Sequence, residues 1–196
     1  MPGYEALRIN LERRGFETSF FATAAEACDY LNQKIDGKTV GIGGTQTVVQ
    51  MGLGERLSAH NTVHSHWMGG SMEQAASAQV YLCSVNGLAE TGEIINIDGT
   101  GNRVASTIYG HDEVYLIVGK NKIAPDYDAA LWRARNIASP KNARRLQRNT
   151  PCALHADKCY DCASPDRICN ALVVFWCKPG GVGRCEVVLV DEELGY

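Results

Sequence analysis

The sequence predicts an α/β fold built on a largely parallel sheet, and three observations carry that expectation. Short apolar runs with the length of buried strands alternate with segments of helical periodicity along the chain. A glycine-rich turn, "VGIGGTQT" at 40–47, joins one such strand to the next helix. The 196 residues, with 45% apolar and 21% charged side chains, suit one globular domain with a substantial core. The formal charge of −3 supplies no basic field for nucleic acid. No apolar run approaches the roughly 20 residues that span a bilayer. The opening "MPGYEALRINLERRG" mixes charge with leucines and is no signal peptide. A cytoplasmic location is expected, where thiols stay reduced and disulfides are rare.

The elements follow in order. Tyr4, Leu7 and Leu11 share a helical face, Ile9 lies off it, and Gly15 ends the helix. "FETSFFA" reads as a strand. Thr23 and Glu26 then form a capping box, in which hydroxyl and carboxylate satisfy the first free amides of a helix. Ala25, Cys28, Leu31 and Ile35 are expected inward on it, and "DGK" at 36–38 turns the chain. A short strand at 39–43 and a short helix at 45–53 follow, then buried strands at 79–85, 94–97 and 113–119. The pattern at 126–138 predicts a helix with Ala130, Leu131, Ala134 and Ile137 on one face. The runs 171–177 and 185–190 predict a C-terminal antiparallel hairpin about Lys178-Pro179-Gly180-Gly181, at the sheet edge. No repeat, low-complexity tract or linker interrupts the chain.

Two loops carry candidate chemistry. Gly41, Gly43 and Gly44 permit backbone angles that other residues avoid, and Thr45 and Thr47 offer hydroxyls at a helix start. Amides there suit a phosphate or carboxylate. No Gly-Lys-Ser/Thr follows, so this is not a Walker loop, and Gln46 breaks the dinucleotide fingerprint. A tight turn packed against the sheet is the competing reading. In "LAETGEIINIDGTGNRVA", Glu90 precedes a turn, and a strand delivers Asp98, Asn102 and Arg103 into a second loop. Strand ends are where α/β proteins bind ligands. A loop closed by its own Asp98–Arg103 pair is the alternative.

Four of the eight cysteines fall in one segment, as Cys152-x6-Cys159-x2-Cys162-x6-Cys169. Cysteines two residues apart can aim both sulfurs at one centre, and flanking cysteines can complete four ligands, with reduced, unliganded thiols as the competing reading. Lys158 and Arg167 offset thiolate charge. Zinc would take the four thiolates tetrahedrally. A [4Fe–4S] cluster needs the same ligands on a wider cage, for which the six-residue loops give room, and the second C-x2-C of zinc knuckles is absent. Four thiols favour a closed centre, an electron relay or staple. A three-cysteine centre with an open Lewis-acidic iron is the variant, and His155 a less favoured ligand. His60, His64 and His66 lie beside Trp67, where either a metal or carboxylate site or an inert polar loop fits. Cys28 and Cys83 read as core thiols, Cys177 and Cys185 as neighbours across the hairpin. Arg144, Arg145 and Arg148 read as a solvated face.

Four stretches in order, "NGLAETGEIINIDGTGNRVA", "VYLIVGKNKI", "RARNIASPKNARRL" and "TPCALHADKCYDCASPDRICN", resemble the lactate-utilisation (LUD) domain family, in its short stand-alone cysteine-containing branch. The resemblance covers nearly the whole chain. It implies one domain over 1–196, with the cysteine-rich segment at 151–170, and a Rossmann-like fold of the NagB/RpiA/CoA-transferase kind. It implies that Gly41, Gly43, Gly44, Thr45 and Thr47 face a phosphate, sugar-phosphate or CoA-type ligand. Asp98, Asn102 and Arg103 would stand opposite, with Glu90 and Lys122 nearby. Members of the wider family accompany iron–sulfur proteins that oxidise lactate to pyruvate. The resemblance thus tilts the cysteine site toward [4Fe–4S] and the cleft toward a small anionic metabolite in redox or hydroxy-acid metabolism. Asp98 or Glu90 would then handle a proton, with Asn102 and Arg103 orienting the substrate. A redox protein partner and self-association fit the same picture; nucleic acid and membrane do not. An accessory module with a structural zinc is the alternative. Between Leu57 and Ala75 the chain departs from the family pattern, so substrate identity does not carry over.

Overall fold

The computed structural model describes residues 4–155 and 157–196. Its main sheet has six parallel strands in the order β1-β10-β7-β4-β2-β3: Glu17–Phe21, Arg184–Val190, Glu113–Gly119, Val80–Cys83, Thr39–Ile42 and Thr62–His64. Successive side chains of a strand point to opposite faces, and both faces are covered. On one, Val114, Leu116 and Val118 of β7 join Leu7 and Leu11 of α1 (Glu5–Arg13). On the other, Tyr115 and Ile117 join Cys28 and Leu31 of α2 (Ala24–Lys34), with Val48 of α3 (Gln46–Gln50) and Leu53 of α4 (Leu53–Leu57). This double burial is why the parallel strands read as unbroken apolar runs. The Thr23–Glu26 capping box of α2 is formed. Ala25 is exposed on that helix and Ala27 takes its inward place, one turn from Leu31.

A second, mixed sheet has the order β8-β5-β6-β9: Ile123–Ala124, Gly87–Ala89, Ile94–Asp98 and Ala171–Phe175. It packs on α7 (Tyr127–Arg133) through Ala89, Ile95 and Ala130. Asp126 caps α7, accepting from the Ala129 amide at 2.8 Å. The helix runs through a π-turn at Ala134–Ala138 into α8 (Ser139–Arg145), and this bulged stretch reaches the cleft described below. α5 (Met72–Ala76), α6 (Asn102–Ile108) and α9 (Pro151–His155) complete the set. Among the described residues no helix is long and apolar enough to cross a membrane.

The predicted C-terminal hairpin is not formed. β9 pairs antiparallel with β6 at the edge of the mixed sheet, while β10 inserts parallel between β1 and β7. The burial explains both positions. Cys185 through Val190 are all buried, which requires the middle of a covered sheet, whereas Leu172 of β9 is half exposed. Cys185 is therefore a core thiol and Cys177 an exposed one.

Gly41 lies where α5 presses on β2: a Cβ would stand 2.2 Å from the Ala75 carbonyl oxygen. Gly41→Ala is expected to lower stability by about 1–3 kcal/mol through forced backbone displacement. A drop in the urea midpoint at unchanged m-value measures it.

Candidate ligand cleft and thiol cavity

A cleft of about 240 Å³ opens at the carboxyl ends of β2, β4 and β6. From β2 the chain moves outward to β3, and after β4 it goes on to β7 on the other side. The cleft thus occupies the topological switch point, the usual ligand position in such sheets. Gly44 and Thr45 line one wall, Ser84 and Asn86 the floor, and Asp98 and Asn102 the opposite wall. Lys122 also faces it, and the guanidinium groups of Arg103, Arg145 and Arg148 outnumber the one side-chain carboxylate of the lining, Asp98. The Thr45 hydroxyl, which lines the cleft, is buried without a hydrogen-bond partner.

Arg103 makes four hydrogen bonds within the protein. One terminal nitrogen donates to Ser84 O at 2.9 Å and Asn96 Oδ1 at 2.6 Å. The other donates to Asn86 Oδ1 at 3.0 Å and Ile97 O at 2.8 Å. Its Nε stands 3.5 Å from Asp98 Oδ2. Four of its five N–H groups are thus hydrogen-bonded inside the protein, and Nε faces the Asp98 carboxylate at ion-pair distance. Asp98 accepts from the amides of Gly101 at 3.0 Å and Val104 at 3.3 Å, which caps α6. The self-closed loop is therefore what forms, and this pair shapes the wall.

The structure gathers Gly44, Thr45, Asp98, Asn102, Arg103 and Lys122 around the cleft. Gly41 and Gly43 sit behind it for packing; a Cβ on Gly43 would meet Tyr81 Oη at 2.6 Å. Thr47 stands one layer back as a partner of Lys122. Glu90 is not in the lining: it is exposed beyond the end of β5 opposite to Asn86. His66 and Trp67 line the cleft, whereas His60 is held by Asp36 at 2.8 Å and Asn32 at 3.1 Å. The solvated-face reading of the arginines fails for two of them, because Arg145 and Arg148 border the cleft. Arg145 lies 5.2 Å over the Trp67 ring and Arg148 3.6 Å from Asp166.

A second cavity of about 200 Å³ is lined by Cys152, Cys159 and Cys169 together with Arg135 and Arg167. The four cysteines of the segment are partly buried and free of disulfides. Arg167 Nη2 donates to Cys169 Sγ at 3.4 Å, and Arg135 Nη2 lies 3.8 Å from Cys159 Sγ. The Cys169 sulfur, then the Cys162 one, raises the pKa of Arg167. Cys162 lies outside the lining, its carbonyl accepting from Arg167 Nη1 at 2.8 Å. His155 is not in the lining and packs on Tyr160.

The donors bear on what such a cavity holds. Tetrahedral zinc at about 2.3 Å from each sulfur requires the sulfurs within about 3.8 Å of one another. Among the described residues no three His, Cys, Asp or Glu side chains converge on one metal ion. Three thiols line this open volume, with the Arg167 guanidinium beside Cys169, the Arg135 guanidinium near Cys159 and a hydroxyl beside Cys152. Thr150 Oγ1 supplies the hydroxyl, 3.4 Å from Cys152 Sγ.

The two cavities share a wall. Ile97 and Ser139 line both, and Ile168, beside Cys169 in sequence, lines the cleft. Asn170 ties the cysteine segment to the Asp98 loop: its amide donates to Asp98 O at 2.9 Å and its side chain to Gly99 O at 3.0 Å.

Fold and site define an α/β protein with a cation-rich cleft at the strand ends and a thiol-lined cavity behind it. The family model of the LUD domain matches residues 4–190, and the chain belongs to that family. A crystal structure of a DUF162 family protein from Deinococcus radiodurans is similar in fold, with a TM-score of 0.53 at 13% identity over 94% of both chains. No curated protein matches the sequence.

Lys122 gives the cleft a pH signature. Burial first, then the Arg133 and Arg103 cations, lowers its pKa from 10.5 to about 7. Between those values the unfolded chain keeps a proton that the folded chain has released, so this group makes stability rise with pH across that window. Lys122→Met carries no such proton in either state. The difference in unfolding free energy between wild type and variant is expected to climb from pH 7 to pH 10 and to stay level below pH 6.

Proposed function

We propose that this LUD-domain protein is an iron–sulfur enzyme of hydroxy- or keto-acid metabolism, with a small carboxylate-bearing metabolite held beside the cluster. One observation carries the reading: three free cysteines around one cavity share a wall with a cation-rich cleft. At about 240 Å³ the cleft suits a metabolite of a few carbons better than a whole coenzyme. Arg145 and Arg148 attract the carboxylate, while the Thr45 hydroxyl and the Asn102 amide fix its orientation. Asp98 and Arg103 keep the wall in shape. Cys152, Cys159 and Cys169 hold the cluster, with Cys162 as the fourth candidate ligand. A cluster there supplies one-electron transfer to a redox partner.

The test uses anaerobically prepared protein and a panel of small 2-hydroxy and 2-oxo acids, phosphates and CoA esters in thermal-shift titrations. The acids are expected to stabilise the protein, and Arg145→Ala with Arg148→Ala to weaken them at least tenfold without loss of fold. Stabilisation by phosphates or CoA esters alone would overturn the reading. Acids that bind but never turn over with an artificial electron acceptor would make the chain a ligand-sensing module.

A further inference from the structure

Lys122 is buried, with 4% of its surface exposed, yet it lines the cleft. It sits just past β7 and donates to Thr47 Oγ1 at 2.9 Å and Ser84 Oγ at 2.8 Å. Each hydroxyl has its own hydrogen committed elsewhere, Thr47 to Leu194 O at 3.3 Å and Ser84 to Ile117 O at 2.5 Å. Both oxygens therefore accept from the amine, which accounts for two of its N–H groups. An ammonium carries three N–H groups; a neutral amine carries two and a lone pair. The environment favours the neutral form. Arg133 from α7 and Arg103 from α6 are both cations, Cys83 from β4 is a buried thiol, and Asp98 is engaged by Arg103 and the α6 amides. The amine thus has its two hydrogens docked and its third position left over on a residue that borders the cleft.

We propose that Lys122 is a catalytic nucleophile whose amine condenses with the carbonyl of a small 2-oxo acid in the cleft to form a Schiff base. The inference rests on the acid-binding reading of the same cleft. The nitrogen lone pair forms the new C–N bond while the carbonyl π pair moves to oxygen. The two amine protons, already docked on hydroxyl oxygens, pass to that oxygen, which leaves as water when the C=N bond closes. Amine and carbonyl become imine and water, and nothing is oxidised or reduced. Burial lowers the amine's pKa far enough to leave an unprotonated fraction at neutral pH, and it limits access of water to the product.

The test is reductive trapping of the whole protein, prepared without oxygen, with glyoxylate or pyruvate and cyanoborohydride at neutral pH, followed by peptide mass mapping. One adduct per chain is expected, at Lys122, at least tenfold faster than on the exposed lysines. Its rate should reach half of its plateau near pH 7, whereas surface amines label faster up to much higher pH. Lys122→Gln should lose the adduct while keeping the far-ultraviolet circular dichroism and cooperative unfolding of the wild type. Should Lys122→Gln fail to fold, the pH profile of the wild type decides alone. Adducts spread over Lys34, Lys141 and Lys158 with Lys122 bare would overturn the inference. If acids then still stabilise the protein, the acid cleft stands without the nucleophile; if no acid binds either, both readings fall together.

Discussion

Arg103→Met is expected to cost about 3–5 kcal/mol of stability, the range for breaking a buried ion pair by removing one partner. The change leaves Asp98 without its counter-charge inside the protein. It also removes the Arg103 donor from Ser84 O, Ile97 O and the amide oxygen of Asn96, while the Asn86 amide oxygen keeps the Ile97 amide as a donor. Each buried acceptor left unpaired adds desolvation cost. Chemical denaturation at constant m-value measures the loss. Arg145→Met supplies the contrast. Its guanidinium rests on Trp67 and bonds only Asn142 on its own helix, so its stability change is expected within about 0.5 kcal/mol. Together the pair separates the residue that builds the cleft from one that serves it.

Replacing Cys152, Cys159 or Cys169 by alanine is expected to remove nearly all cluster iron, with the visible absorbance near roughly 400 nm that thiolate-to-iron charge transfer gives. Cys177→Ala is expected to leave both intact, because that thiol is exposed and outside the cavity. Iron content per chain after anaerobic reconstitution reads the difference. Cys162→Ala, measured the same way, separates a four-cysteine centre from one with an open iron. Because the cleft and cavity are joined through Asn170, loss of the cluster is also expected to weaken acid binding.

Local pattern made most elements legible. β4, β7 and β10 announce themselves because burial on both faces leaves only apolar side chains, and α2 because a complete capping box precedes it. Partnership was not legible. The apolar runs around Phe175 and Val187 look like a hairpin when only the Pro-Gly turn between them is seen. The partners that separate them, Ile94–Asp98 for one and Glu17–Phe21 with Glu113–Gly119 for the other, lie far away in the chain. The same limit hid the role of Arg103, whose acceptors come from two strand ends, and that of Arg145, whose charge points into the cleft from a helix that looks solvated. The cysteine spacing suggested four thiols on one centre, of which three line one cavity and Cys162 lies outside its lining, and nothing in it pointed to Arg135 from the distant π-turn.

The coupling of the two cavities is tested most directly by electron paramagnetic resonance of the reduced, reconstituted protein with and without a saturating small 2-hydroxy acid. An iron–sulfur signal that shifts when the acid binds, in a sample with about four iron and four sulfide per chain, is the predicted result. A colourless protein carrying stoichiometric zinc, or a cluster signal indifferent to every acid that binds, would contradict it.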